Sequence, residues 1–86
     1  MILARTQRFK KEFESLPASI QERARKQLAI LFTNPRHPSL QIKKMKGYEN
    51  LWEGRITQHY RFMFRVEGET FFLLRIGTHD LLRQPE

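Results

Sequence analysis

Apolar positions along this chain change their spacing once, near residue 40: before it they recur at helical intervals, after it at strand intervals. Ile2–Ala4 is a short apolar stretch that predicts a first strand. Thr6 then offers an N-cap. Phe9, Phe13 and Leu16 follow at i, i+4 and i+7, leaving Arg8, Lys10, Lys11, Glu12 and Glu14 for the outer face. Pro17 breaks this helix or starts the next, because its ring fixes φ and removes a backbone donor. Ser19 and Glu22 have the spacing of a capping box. Ile20, Ala24, Leu28, Leu31 and Phe32 form a second apolar stripe. Asn34-Pro35 ends it, since a residue before proline is pushed out of the helical region. Two helices joined at Pro17 predict a helical hairpin.

Residues 35–41 predict a loop. Ile42–Met45 predicts a strand, Gly47–Asn50 a turn, and Leu51–Thr57, Tyr60–Val66 and Thr70–Ile76 three more strands. Gly54 inside a strand predicts a bulge or the close approach of another group. Glu67-Gly68-Glu69 is the last hairpin loop. Closing it from Val66 to Thr70 pairs Phe64 with Phe72, Phe62 with Leu74 and Tyr60 with Ile76, which gives one fully apolar face. A slip of one residue turns every side chain over, so this register is the expected one. It sets Arg61 across from Arg75. Two facing guanidinium groups repel unless an anion, or a carboxylate such as that of Glu53, sits between them. The expected fold class is α+β: two N-terminal helices on one face of a twisted, mainly antiparallel sheet of four to five strands, forming a single domain over residues 1–86.

Composition narrows the chemistry. Eighty-six residues with seven Phe, two Tyr and one Trp can build one real core, but leave no room for a separate cofactor domain. The chain contains no cysteine, so disulfides, zinc ribbons and thiol nucleophiles are out. Three histidines without metal-ligand spacing predict no metal site, and no glycine-rich phosphate or dinucleotide motif is present, so no cofactor is expected. Ser15, Ser19 and Ser39 stand in cap or loop contexts without a nucleophile elbow. The longest apolar runs, Leu28–Phe32 and Phe71–Leu74, are far below a membrane span, and Met1–Ala4 is followed at once by Arg5, so neither a membrane partner nor a signal peptide is expected. A cysteine-free chain fits a reducing compartment, and the expected location is cytoplasmic.

Charge points to the partner. Sixteen Lys and Arg stand against nine acids, a net charge of +7. Residues 1–46 carry 11 Lys and Arg and 3 Glu, while residues 47–86 carry 5 Arg and 6 acids. The excess therefore lies on the helices and the first part of the sheet, where it would attract RNA or an acidic protein. Lys43, Lys44 and Lys46 form a basic run suited to blunting a sheet edge or to tracking an RNA backbone.

Four segments in order carry a family resemblance: Lys44-Met45-Lys46-Gly47, then Leu51-Trp52-Glu53-Gly54-Arg55-Ile56, then Tyr60-Arg61-Phe62-Met63-Phe64, and last Leu74-Arg75-Ile76-Gly77-Thr78-His79. With the helix from Leu16-Pro17 through Asn34-Pro35, the chain resembles the RelE/ParE toxin superfamily of bacterial type II toxin–antitoxin systems. That resemblance implies two helices on one sheet face and a basic concavity on the other. Many members cleave mRNA on the ribosome, whereas ParE-type members inhibit DNA gyrase. Both are silenced by a cognate antitoxin, and the toxin–antitoxin complex is expected to bind operator DNA. A plain RNA-binding module is the third reading.

The resemblance assigns roles to particular residues. His79 stands where members carry a catalytic Arg or His, and imidazole suits proton transfer near neutral pH. Arg61 matches an arginine similar to the family's phosphate-stabilising residue, a job for which a planar fork is fitted. Arg55 and His59 are expected to assist, and Arg75 to bind a phosphate. Trp52 reads as a core residue, with base stacking as its functional alternative. The sequence also departs from the family's nucleases. It predicts no C-terminal helix and no aromatic residue after the glycine turn. Glu53 and Arg55 stand where some members carry a lysine pair.

Overall fold

The computed structural model describes residues 2–83, which leaves Met1 of the leading apolar stretch outside it. In chain order the elements are β1 (Ile2–Arg5), α1 (Gln7–Glu14), α2 (Ala18–Thr33), a 3-10 turn (Pro38–Leu40), β2 (Lys43–Lys44), β3 (Trp52–Arg55), β4 (Tyr60–Glu67), β5 (Thr70–Thr78) and α3 (His79–Arg83). The sheet runs β1-β5-β4-β3-β2. β1 lies parallel to β5, and the other three pairings are antiparallel. This is the expected α+β architecture, with a helical hairpin and a five-stranded sheet.

The helices begin as their sequences allow. The Thr6 side chain accepts the Phe9 amide at 3.0 Å and caps α1. Its hydroxyl donates in turn to the Leu74 carbonyl at 3.0 Å, so one residue starts a helix and ties it to the sheet. Ser19 and Glu22 do not form the expected capping box. α2 starts at Ala18 with Pro17 in the N-cap position and no side-chain cap. Proline has already fixed the entry angle, and Ser19 falls inside the helix. Gln21 Nε2 donates to the Phe13 and Glu14 carbonyls at 3.0 and 3.3 Å, closing the end of α1 from α2. The hairpin is thus held by an amide as well as by its apolar stripe.

The core lies between the helices and one sheet face. Phe9, Ala24, Leu31, Leu40, Ile56, Phe62, Phe64, Phe71, Leu73 and Ile76 are all buried there. Trp52 is half-buried against this cluster, and its Nε1 donates to Asn50 Oδ1 at 3.2 Å. It is placed as a core residue at the sheet margin. Gly54 pairs with Phe62, and a Cβ at Gly54 would fall 2.3 Å from the Phe62 ring. The close approach expected at this glycine is therefore that of an aromatic ring.

The expected register of the last hairpin does not hold. The strands close through the two-residue turn Gly68-Glu69, with Glu67 opposite Thr70 and Phe64 opposite Leu73. Gly68 has φ +59°, the left-handed conformation that a glycine at the first position of a II′ turn adopts. Past Phe64 the register shifts, Met63 faces Arg75, and Leu74 is bulged out of the pairing. The bulge reconciles two apolar patterns. Phe71 and Leu73 before it, and Ile76 after it, all reach the core although their spacing is not a strict alternation. Arg61 consequently faces Gly77, not Arg75.

Candidate active site

The open face of the sheet carries two rows of side chains set by this register. Lys43, Glu53, Met63 and Arg75 are successive partners in one row; Arg55, Arg61 and Gly77 form the next. In the first row the charges are matched. Glu53 is 2% exposed, and its Oε2 lies 3.3 Å from Lys43 Nζ. Its Oε1 has no hydrogen-bond partner among the described residues. Arg75 reaches around β5 to α1, where its Nη2 meets Glu12 Oε2 at 2.7 Å and its Nε the same oxygen at 3.2 Å. Glu12 Oε1 also accepts the Ile76 amide at 3.2 Å. β1 pairs only as far as Leu73, so Glu12 takes over a backbone donor that no strand covers.

From the second row Arg61 opens onto a cleft of about 680 Å³, lined by Gln58, His59, Tyr60, Arg61, Thr78, His79 and Asp80. The connection from β3 to β4 builds one wall. Ile56 and Thr57 donate their amides to the Tyr60 carbonyl at 2.9 and 3.2 Å. Arg61 Nη1 bonds the Thr57 carbonyl, and it lies 3.3 Å from the Tyr60 carbonyl. Those contacts fix the guanidinium through one nitrogen. They leave Nε and Nη2 without a partner among the described residues. Such a fork is preset for an anion.

The other wall is the junction of β5 with α3. The His79 amide donates to the His59 carbonyl at 2.8 Å, which brings the two histidines to one rim. His79 Nδ1 lies 3.8 Å from Asp80 Oδ1, and the Asp80 side chain is fully exposed. α3 corrects the expectation of no C-terminal helix. Gly77 is buried under it, and a Cβ there would meet Leu81 Cδ2 at 3.2 Å. The Leu81 amide is capped by Thr78 Oγ1 at 3.2 Å. A single helical turn was hidden in the sequence because His79-Asp80-Leu81-Leu82 is too short to show a period.

Of the residues singled out in the sequence, His59, Arg61 and His79 come together in this cleft. Arg55 faces Arg61 across the strands but lines a neighbouring cleft instead. Arg75 is held by Glu12, and Lys43 by Glu53. Lys44 and Lys46 are exposed at the β2 edge of the sheet, apart from the cleft. Gln58, Tyr60 and Thr78 also line the cleft and escaped the sequence reading. Tyr60 and Thr78 stand in the segments that carry the family resemblance, without a role expected of them, and Gln58 had only its place beside His59. Among the described residues no group of His, Asp and Glu could hold a metal ion.

The sequence profile of the ParE-like toxin domain matches residues 18–80. This chain belongs to that family. The matched span runs from the start of α2 to the first turn of α3, so the toxin domain's characteristic segment contains every residue of the cleft. The fold is also that of solved toxin structures. A chain of the RelB-RelE antitoxin-toxin complex from Methanococcus jannaschii superposes with a TM-score of 0.77 at 24% identity, over 92% of this chain and 93% of that one. The YoeB/ParE toxin from Agrobacterium tumefaciens gives 0.78 at 22% identity, over 92% and 99%. YafQ from E. coli gives 0.80 at only 10% identity, over 95% and 97%. No curated protein matches the chain in sequence.

Proposed function

We propose that this toxin domain is the toxin of a type II toxin–antitoxin pair and a metal-independent, ribosome-dependent mRNA endonuclease. The observation that carries the reading is the cleft in which a half-free Arg61 fork stands with His59 and His79. RNA cleavage through the neighbouring 2′-hydroxyl needs no enzyme nucleophile. The 2′-oxygen forms a bond to phosphorus while the bond to the 5′-oxygen breaks. One proton leaves the 2′-hydroxyl and one is delivered to the 5′-oxygen, giving a 2′,3′-cyclic phosphate and a 5′-hydroxyl. Arg61 places two unused donors where negative charge grows on the phosphorane. His79 transfers a proton, with His59 on the same rim and Arg55 across the strand assisting.

The lysine-rich surface, including Lys44 and Lys46, docks ribosomal or messenger RNA through salt-sensitive contacts. An acidic antitoxin is drawn to the same positive field. Cell-free translation of a defined message, read by primer extension, tests the activity. Codon-spaced cuts that vanish in Arg61→Ala and His79→Ala support it. The match to a ParE-like profile favours one second reading, gyrase inhibition. Intact messages together with stalled DNA supercoiling would replace the first reading by that one.

A further inference from the structure

A second cleft, of about 290 Å³, lies between α2, the 3-10 turn and the end of β3. Arg23, Gln27, Ser39, Gln41, Arg55 and Gln58 line it, and its lining contains no carboxylate. Resting on the nuclease reading above, we propose that this cleft is a phosphate subsite for the nucleotide next to the one cut in the first cleft. The RNA strand would pass from one cleft to the other over Gln58.

Charge is the first argument. Several other cations have a carboxylate beside them: Arg25 has Glu22 at 3.6 Å, Arg75 has Glu12 and Lys43 has Glu53. The guanidinium groups of Arg23 and Arg55 make no hydrogen bond or ion pair to any described residue. Because Glu53 Oε2 is drawn to Lys43, it does not quench Arg55, two residues further along the strand. Two unquenched guanidinium groups, one from a helix and one from a strand, converge on a cleft rich in amides.

Preorganisation is the second. Gln27 Nε2 donates to the Arg55 carbonyl at 2.9 Å and to the Ser39 carbonyl at 3.2 Å, bracing α2 against both β3 and the 3-10 turn. Gln41 holds a left-handed φ of +43°, with its amide bonded to the Pro38 carbonyl at 3.1 Å. A non-glycine residue in that conformation is held there by its surroundings.

Continuity is the third. Gln58 lines both clefts, and Thr57, which lines the second, gives its carbonyl to Arg61 of the first. Two adjacent anion sites suit a polymer with a phosphate at every step better than they suit a lone ion.

The test is binding of single-stranded RNA oligonucleotides, two and six nucleotides long, by fluorescence anisotropy. Arg23 is exposed on a helix, so Arg23→Ala leaves packing intact, and Arg23→Lys checks whether charge alone suffices. The expected result is hexanucleotide binding at least about five-fold weaker in Arg23→Ala. The slope of log K against log salt should be shallower by about 0.7, the share of one single-strand phosphate. Dinucleotide binding should not change. Equal hexanucleotide affinity and salt slope in wild type and Arg23→Ala overturn the subsite, even if wild type cuts messages. Arg23-dependent hexanucleotide binding by a wild type that cuts no message keeps the subsite and removes the nuclease reading. Loss of affinity for an acidic peptide alone, with RNA binding unchanged, assigns the cleft to a protein partner and also overturns the proposal.

Discussion

Lys43, Glu53, Met63 and Arg75 lie in one row across the open face of the sheet; Arg55, Arg61 and Gly77 lie in the next. Each cation of the first row has a carboxylate, Lys43 at 3.3 Å and Arg75 at 2.7 Å. The second row has two arginines facing each other and no carboxylate. Arg61 is held there by backbone carbonyls alone. Both rows carry arginine, so charge by itself does not separate a neutralised arginine from one left open to a ligand. What separates them is which acids can reach. Glu12 on α1 reaches the row beside it and not the strand end beyond, and Glu53 is committed to its own row.

The strongest way to break this contrast is to remove Arg61 of the second row, or His79 beside it in the cleft. Arg61→Ala and His79→Ala should each lower message cleavage by roughly 100-fold or more, with the melting temperature barely changed. A large fall in melting temperature with cleavage retained would make the second row structural as well.

Next comes the first row. Glu12→Ala takes the acceptors from a part-buried guanidinium and from the Ile76 amide, which should cost about 2 kcal/mol. At 4–8 °C per kcal/mol for a domain of this size, the melting temperature should fall by roughly 8–16 °C in calorimetry. An unchanged transition would show that Arg75 finds an equal partner elsewhere.

Lys43→Ala should do less, about 1 kcal/mol by urea titration. The lysine is 54% exposed and its pairing is screened by solvent, although it leaves the Glu53 carboxylate buried alone. Cleavage should persist, and its loss would return Lys43 to the RNA-binding surface.

The smallest effect has the opposite sign. Arg55→Ala removes one of two like charges paired across β3 and β4, so folding stability should rise by a few tenths of a kcal/mol while RNA affinity falls. A drop in stability would mean that the two charges, in separate clefts, do not repel.

The family resemblance singled out His79, at the end of the last strand, and Arg61, in the Tyr-Arg strand, and the fold brings both to one cleft. The pairing of Arg75 with Glu12 could not be read, because it joins residues 63 apart and depends on where β1 stops covering β5. The subsite around Arg23 and Arg55 was hidden for the same reason. Arg23 looks like any solvated cation on a charged helix face until Gln27 draws that face onto β3.

Local chemistry written in the sequence decided α1, α2, the strand segments and the Thr6 cap. These depend on periodicity, capping and proline within a few residues. The tertiary structure alone decided the register. An alternating pattern predicts a face, but Leu74 bulges so that Phe71, Leu73 and Ile76 can all share the core with Phe62 and Phe64. That choice is made by packing across the whole sheet. It turns Arg61 toward Gly77 and a cleft, and leaves Arg75 to be neutralised by a helix.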